Sequence, residues 1–483
     1  QQNTLLKRFV FPTKKNWVVN YVFHFGDPPP YAASDRHIRY RNGLPRYGEW
    51  DYGPQKWMMN LLSVTHSGTS RLYDRATLRL THQGFEESRI SRDIHRPGRE
   101  MRVEKVNAWS VNLDLLKVLG TRSKLFYGLE VVANDVASTG INENIATGVK
   151  APGAARYPQA DWASYAAYVS GQFRLTRQLS LHAGLRYNQF VLDAAFDTTF
   201  YPFPFTTARL NRGALTGSLG LVYRPSEAWV LSTNAATAFR SPNVDDLGKV
   251  FDSEPGAVTV PNPNLEAEYA WNADVNLARL FGEVLKVDFS VYYTVLQNAM
   301  VRRDYRLNGR DSILYDGELS RVQAIQNAAV AHVYGLQAGV EIALPGGFGF
   351  SSDFSYQRGE EELDDGSTSP PRHAPPWFGV SRLSYSAQPG LEMQLYAVYS
   401  GERKFEDLPA EERVKTEIYA IDPGGNPYSP GWYTLNFKAL YTFAENLTVS
   451  AGLENLTDRR YRPYSSGIVA PGRNFVLSLR VGF

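Results

Sequence analysis

The sequence predicts an all-β fold, a transmembrane antiparallel up-and-down β-barrel. Three observations lead there. Apolar and polar residues alternate at period two. The alternating runs reach about 9–12 residues, the length of a tilted membrane-crossing strand, where globular strands average about 5–6. The connections between runs switch between short and long.

The last run shows the alternation most clearly. Phe475, Leu477, Leu479, Val481 and Phe483 make one apolar face, and Asn474, Val476, Ser478, Arg480 and Gly482 make the other. Residues 447–454 repeat it, with Leu447, Val449, Ala451 and Leu453 against Thr448, Ser450, Gly452 and Glu454. Residues 179–187 set Leu179, Leu181, Ala183, Leu185 and Tyr187 against Ser180, His182, Gly184 and Arg186. Near the start, Trp17, Val19, Tyr21, Phe23 and Phe25 alternate with Val18, Asn20, Val22 and His24. Alternation alone also suits a soluble sandwich, so run length and connection pattern must decide.

Short turns fall at 67–70, 119–124, 176–178, 224–228, 344–348, 387–390 and 443–446. Long polar loops fall at about 26–54, 84–103, 134–162, 192–212, 240–266, 298–328, 357–375, 401–430 and 457–472. Short turns on one side and long loops on the other mark the periplasmic and extracellular ends of an outer-membrane barrel. The count is about 18 strands over residues 14–483, and residues 1–13 read as a stub of a preceding strand. The final strand descends, which puts the C-terminus on the periplasmic side. A terminal aromatic after such a strand resembles the recognition signal of the bacterial barrel-assembly machinery.

Composition agrees. The chain has 483 residues with no shift in texture along it, which points to one repetitive architecture rather than several domains. Aromatics are 13% of residues, enough for interfacial belts. The net charge of +2 comes without a basic block, which argues against a nucleic-acid partner. With no cysteine, disulfides and thiolate metal sites are excluded. Mean hydropathy is −0.35, compatible with a barrel because only alternate residues face lipid. No apolar run reaches the roughly 18 residues of a membrane helix. No signal peptide stands at Gln1, so the sequence reads as mature, processed or partial.

Three motifs carry a family resemblance. The first is Phe239-Arg240-Ser241-Pro242, followed after a loop by Asn262-Pro263-Asn264-Leu265-Glu266. The second is Glu454-Asn455-Leu456-Thr457-Asp458, then Tyr461-Arg462-Pro463-Tyr464, then Pro471-Gly472-Arg473-Asn474-Phe475. The third is Tyr334-Gly335-Leu336-Gln337-Ala338-Gly339-Val340-Glu341, turning at Pro345-Gly346-Gly347. Together they resemble TonB-dependent outer-membrane receptors over roughly residues 14–483. Each also reads as turn and strand-start chemistry, so a role in folding stands beside a role in ligand contact.

The resemblance implies a barrel of about 22 strands with an N-terminal plug. In the family the loop between the first pair of motifs is the seventh extracellular loop, and here it is the fifth. The plug and the first four strands are therefore expected outside this chain, whether cleaved or on another chain. The resemblance further implies uptake of a scarce nutrient, most readily an iron chelate such as a siderophore or haem, driven by the TonB complex through the plug. Iron is then cargo, and no intrinsic cofactor is expected.

The first motif pair is similar to that of haem receptors, which place a histidine between the two halves. Residues 243–261 hold neither His nor Tyr, so haem ligation there is doubtful. Other candidates are His373, His37 and His95 in predicted outer loops, and His24 and His182 on predicted lumen faces. Each could equally be a solvated imidazole. Acidic runs at Glu360, Glu361, Glu362, Asp364 and Asp365 and at Asp245, Asp246, Asp252 and Glu254 suit a cationic chelate, divalent bridges to lipopolysaccharide, or plain solvation. Outer-loop Tyr and Trp could stack on a planar ligand or sugar. A passive porin and a barrel scaffold bound to a surface lipoprotein remain as alternatives. An enzyme is not expected, because neither Gly-x-Ser-x-Gly nor His-Glu-x-x-His occurs.

Overall fold

The structure is a computed structural model. It describes residues 3–482 except 14–15, 33–39, 42, 202, 255, 316, 328–329, 363–366, 372–373 and 387. His37, His373, Asp364, Asp365 and Phe483 lie outside the described residues.

One sheet of 23 strands dominates. Four of its strands are short pieces within loops, and the other nineteen are barrel staves. The first ten are β1 Asn3–Pro12, β2 Trp17–Asp27, β3 Lys56–Ser67, β4 Arg75–Asp93, β5 Gly98–Leu119, β6 Ser123–Asn144, β7 Gln159–Arg174, β8 Leu179–Ala195, β9 Thr207–Ser226 and β10 Trp229–Arg240. The rest are β11 Glu268–Phe281, β12 Leu285–Gln297, β13 Val330–Ala343, β14 Phe348–Glu362, β15 Phe378–Tyr385, β16 Leu391–Ser400, β17 Trp432–Ala444, β18 Leu447–Glu454 and β19 Asn474–Val481. Every described pairing between staves is antiparallel and joins sequence neighbours. This is a meander. It has one stave more than the eighteen expected, because Asn3–Pro12 pairs with β2 along its whole length.

Register carries the alternation from stave to stave. Trp109, Val111 and Leu113 sit opposite Ala133, Val131 and Leu129, and these sit opposite Ala163, Tyr165 and Ala167. The face so formed is the outward one. Leu129 is 56% exposed and Leu185 57%, and they belong to a contiguous apolar surface of the kind a barrel turns to lipid. The opposite face is polar. Arg79 pairs with Asp114, Tyr168 donates to Asp114, and Arg186 reaches Glu130 at 2.6 Å. Asp274 accepts from Asn234, Asn272 and Asn276 further round the wall. Inward polar groups bonded to one another suit a water-accessible lumen and would be costly against lipid.

Several expected loops are shorter than the sequence suggests. The loop expected at 84–103 is mostly strand, since β4 runs to Asp93 and β5 begins at Gly98. Strand likewise continues to Asn144 and to Ala195. Above the membrane both faces meet water, so the chain keeps its ladder while losing apolar alternation. At the other end the turns are tight. Gly346 and Gly347 between β13 and β14 have φ of 74° and 80°, which a side chain would oppose.

The densest packing lies at the extracellular mouth, not in the lumen. The inward residues of β8 change from the polar Arg186 and Asn188 to the apolar Phe190, Leu192 and Ala194. With Val136, Ala160, Ala208 and Leu210 these form an apolar patch on the inner wall. A short helix, α1 Val244–Gly248, inserts Val244 and Leu247 into it.

Candidate ligand vestibule

The loops after β10 and β12 fold together over this patch. Segments 251–254, 257–260, 300–304, 312–315 and 318–327 make a small sheet of five strands. Residues 257–260 run parallel to 321–324, a non-local pairing where the other described strand pairings are antiparallel. Val250, Val258, Val260, Leu307, Val322 and Ala324 are its buried core.

The first motif pair fastens this module. Asn243 caps α1, accepting from the Asp246 amide at 2.9 Å, while Asp246 accepts from the Asn243 amide at 3.0 Å. Arg240 grips both Asp246 oxygens, at 2.7 and 2.6 Å, and reaches Glu268 at 3.1 Å. Phe239 faces outward and its ring meets that of Tyr269 on β11, while Pro242 is fully buried. Asn262 donates to the Ile325 carbonyl at 2.8 Å, and its own oxygen accepts from the Asn264 amide. Leu265 is 1% exposed, Pro263 stands between these anchors, and Glu266 is held by Asn327. Arg240→Ala removes the fork that holds α1. Trypsin cleavage of the native receptor within 241–267 is then expected to accelerate by about tenfold or more, through local opening. Arg240→Lys, which keeps charge but not the fork, is expected to fall between. Equal cleavage rates for all three would count against the clamp.

The second motif does similar work at the far wall. Asn455 bonds the carbonyls of Arg459 and Pro471 and accepts from the Arg459 amide. Asp458 accepts from the Arg473 amide at 2.8 Å, and Arg473 Nε returns to the Leu456 carbonyl at 3.1 Å. A Cβ on Gly472 would stand 2.8 Å from the Asp458 carboxylate. Tyr461 stacks on Trp432 with ring centroids 4.1 Å apart.

A cavity of 1720 Å³ lies between the loop module and the inner face of the β4–β5 hairpin. That hairpin presents Arg89, Ser91, Glu100 and Arg102 inward. The segment 47–52 pairs along the end of β4 and adds Tyr47, Trp50 and Tyr52. Arg89 lies 4.9 Å above the Tyr52 ring, and Trp50 meets Tyr52 edge-on at 5.0 Å. Across the cavity Tyr201 stacks on Tyr315 at 6.3 Å. Glu49 receives Arg92 at 2.9 Å and Arg99 at 2.7 Å, tying 47–52 to the hairpin. The Arg99 hydrogen bond, reinforced by Arg92, holds the Glu49 carboxyl below its usual range.

Glu104 sits behind this wall, five residues beyond the outward-facing Trp109 and clear of the membrane band. It is 6% exposed, and burial pushes its carboxyl up to about 7; Arg89 lowers it and Glu87 raises it. The folded state thus holds the proton more tightly than the unfolded state. Stability contributed by this group is complete at low pH and falls as pH rises from about 4.5 to about 7. Glu104→Gln is expected to stabilise the receptor by about 1–3 kcal/mol at pH 8 and negligibly at pH 4, read as thermal midpoints across pH. An equal shift at both pH values would contradict the assignment.

Among the described residues, the predicted His24, His182 and His95 lie apart from one another. His24 faces the lumen on β2 beside Trp57, with ring centroids 4.5 Å apart. His182 faces the lumen near the periplasmic end of β8, between Gln172 and Gly220. His95, at the tip of the β4–β5 hairpin with φ 58°, lines the vestibule. The arginines of the vestibule carry no motif in the sequence. They are scattered from Arg46 to Arg310 in sequence, and only the inward positions of β4 and β5 hint at them.

Comparison with known proteins places this architecture. Residues 5–456 match the family described as TonB dependent receptor-like, beta-barrel. A ferric enterobactin receptor of Pseudomonas aeruginosa is 24% identical over 285 residues, covering 53% of this chain and 35% of that protein. A probable hemoglobin and hemoglobin-haptoglobin-binding protein of Haemophilus influenzae is 24% identical over 308 residues, covering 55% of this chain and 29% of that protein. The chain thus spans about a third of the length of these relatives. Among solved structures, a copper transporter superposes with a TM-score of 0.75 at 14% identity, over 99% of this chain and 71% of that one. A ferric yersiniabactin uptake receptor from Yersinia pestis gives 0.69 at 15% identity, over 100% and 70%. The chain belongs to the family of TonB-dependent receptor β-barrels of the outer membrane.

Proposed function

We propose that this chain is the wall and the ligand-facing loops of an energy-coupled receptor that takes up an iron chelate, such as a siderophore or haem. The carrying observation is the 1720 Å³ vestibule, roofed by interlocked extracellular loops and set above a polar lumen. Its volume exceeds the roughly 300–1,000 Å³ of sites for drug-sized ligands. A porin needs an open mouth, whereas here two loops are pinned across it. The relatives named for ferric enterobactin and for hemoglobin support iron as cargo.

In this reading a plug and further strands complete the machine, and TonB acts through the plug. Both β1 and β19 run toward the periplasmic side, so direct pairing between them would be parallel. Antiparallel closure takes an odd number of additional strands, and three give the family's total of about 22. Asn3–Pro12 then belongs to the barrel as its fourth strand. The outward triad Lys56–Glu86–Lys105, with contacts of 3.4 and 3.3 Å, stands just above the membrane band. It suits the phosphates of lipopolysaccharide. The receptor transports and carries out no chemistry on its ligand.

The test is growth. A strain lacking this receptor and other iron uptake routes is expected to grow on a cognate ferric chelate only when the whole receptor is restored. Growth on every chelate without it would sink the proposal.

A further inference from the structure

We infer that the vestibule selects an anionic chelate bearing aromatic rings, and that Arg156 is its deepest anchor. This rests on the reading that the protein takes up an iron chelate, and it narrows which one.

Charge comes first. Among the described residues the cavity is lined by seven arginines and one lysine against two carboxylates, Asp93 and Glu100. Several cations are partly neutralised by neighbouring carboxylates: Arg92 by Glu49, Arg89 by Glu87, Arg102 by the cavity-lining Glu100 and Lys249 by Asp245. Those carboxylates fix the guanidinium groups in place. Arg96 and Arg310, at the lip, have no ion pair among the described residues. The surface offered to a ligand is therefore cationic, and a cationic chelate of the kind the acidic loops suggest would meet repulsion there.

Arg156 supplies the second observation. It lines the cavity at only 7% exposure, yet its Nη1 is buried without a hydrogen-bond partner. Its carboxylate neighbour, Asp245, is 3.9 Å from Nη2 and is already engaged by Tyr157 at 2.6 Å and Lys249 at 3.0 Å. A buried guanidinium with an unsatisfied donor costs free energy unless something completes it. An anionic oxygen from a ligand does so and gains a charge-assisted bond in a partly desolvated site.

The aromatic walls supply the third. Trp50, Tyr52, Tyr201 and Tyr315 edge the same space, so planar rings can stack while their anionic oxygens meet arginine. Two ligand sources share this chemistry, a catecholate chelate and an iron porphyrin with carboxylate arms. His95 at the lip offers an axial nitrogen to the second.

The experiment uses the full-length receptor in detergent, with quenching of tryptophan fluorescence as readout. The probes are a synthetic hexadentate ferric tris-catecholate (trianionic and aromatic), ferric protoporphyrin, and a hexadentate ferric tris-hydroxamate (neutral and aliphatic). At least one anionic probe is expected to bind about tenfold or more tighter than the neutral one. Arg156→Gln is expected to weaken that probe by about tenfold and leave the neutral probe unchanged. Arg310→Gln, at the exposed lip, gives a second reading if Arg156→Gln does not fold, with heat-dependent gel migration reporting folding. The catecholate binding alone, or the porphyrin alone with loss on His95→Ala, names the source. Equal or tighter binding of the neutral probe overturns the inference, as do wild-type affinities in both variants. If the neutral chelate binds and is taken up, the transport reading survives while this inference falls. If no probe binds and no iron chelate is taken up, both fall.

Discussion

Leu129→Arg is expected to cost the folded barrel about 2–4 kcal/mol, the depth-dependent penalty for a cation near the bilayer midplane. Leu129 lies on the outward face of β6, half exposed, between Leu113 and Ala167 on the neighbouring staves. It sits between the periplasmic-end Tyr127, whose hydroxyl reaches the Leu72 carbonyl, and the level of Trp109 and Ala133. Three residues along, Val132 faces the lumen between Ser110 and Ser164. Val132→Arg meets polar neighbours, including Glu130 on the same face, and is expected to cost clearly less. The checks are the fraction of receptor recovered as heat-modifiable barrel from outer membranes and its urea midpoint in lipid vesicles. Equal losses for the two substitutions would mean that the faces are assigned wrongly.

The second large effect is expected at Glu412. Its side chain is fully buried in a one-turn helix, Ala410–Arg413, far from the membrane. It accepts from Lys415 at 2.6 Å, from Tyr419 at 2.6 Å and, across to the last extracellular loop, from Ser465 at 3.1 Å. Burial first, and then Glu412, pushes the Tyr419 phenol well above its usual range. Glu412→Ala leaves a lysine and two hydroxyls without their shared acceptor. Losing one member of a buried ion pair costs about 3–5 kcal/mol, and here the cost falls on loops 401–431 and 455–473. Amide exchange in 410–431 and 457–470 is expected to accelerate by more than about a hundredfold while the strands stay protected. Glu412→Gln, which keeps one acceptor, is expected to be milder. Unchanged exchange in Glu412→Ala would show that these loops are held by other contacts.

How much of this was legible in sequence depends on where lipid imposes a rule. In the membrane band one face must be apolar, so Phe475, Leu477 and Leu479 or Leu181, Ala183 and Leu185 announce their strands. Above the band that rule lapses. Glu86-Glu87-Ser88-Arg89 reads as a loop and is a strand, because its ladder is kept by pairing with β5 rather than by burial. Asn3–Pro12 read as a stub because its alternation is blurred by Leu5-Leu6 and Lys7-Arg8, although it pairs throughout. The apolar inward positions Phe190, Leu192 and Ala194 run into the stretch expected as a polar loop at 192–212, and they mark where α1 docks. The vestibule itself is not visible there, since Arg89, Arg156 and Arg310 come to line one cavity only once connections distant in sequence fold together. Iron chemistry favours histidine, yet of the described candidates His24, His95 and His182 only His95 lines the cavity.

Uptake of radiolabelled iron chelate by cells carrying the full receptor, with and without a protonophore, tests the central claim most directly. Collapsing the proton gradient is expected to abolish accumulation inside the cell while leaving surface binding intact. Accumulation that continues undiminished without the gradient would contradict the account and would make this barrel a passive channel.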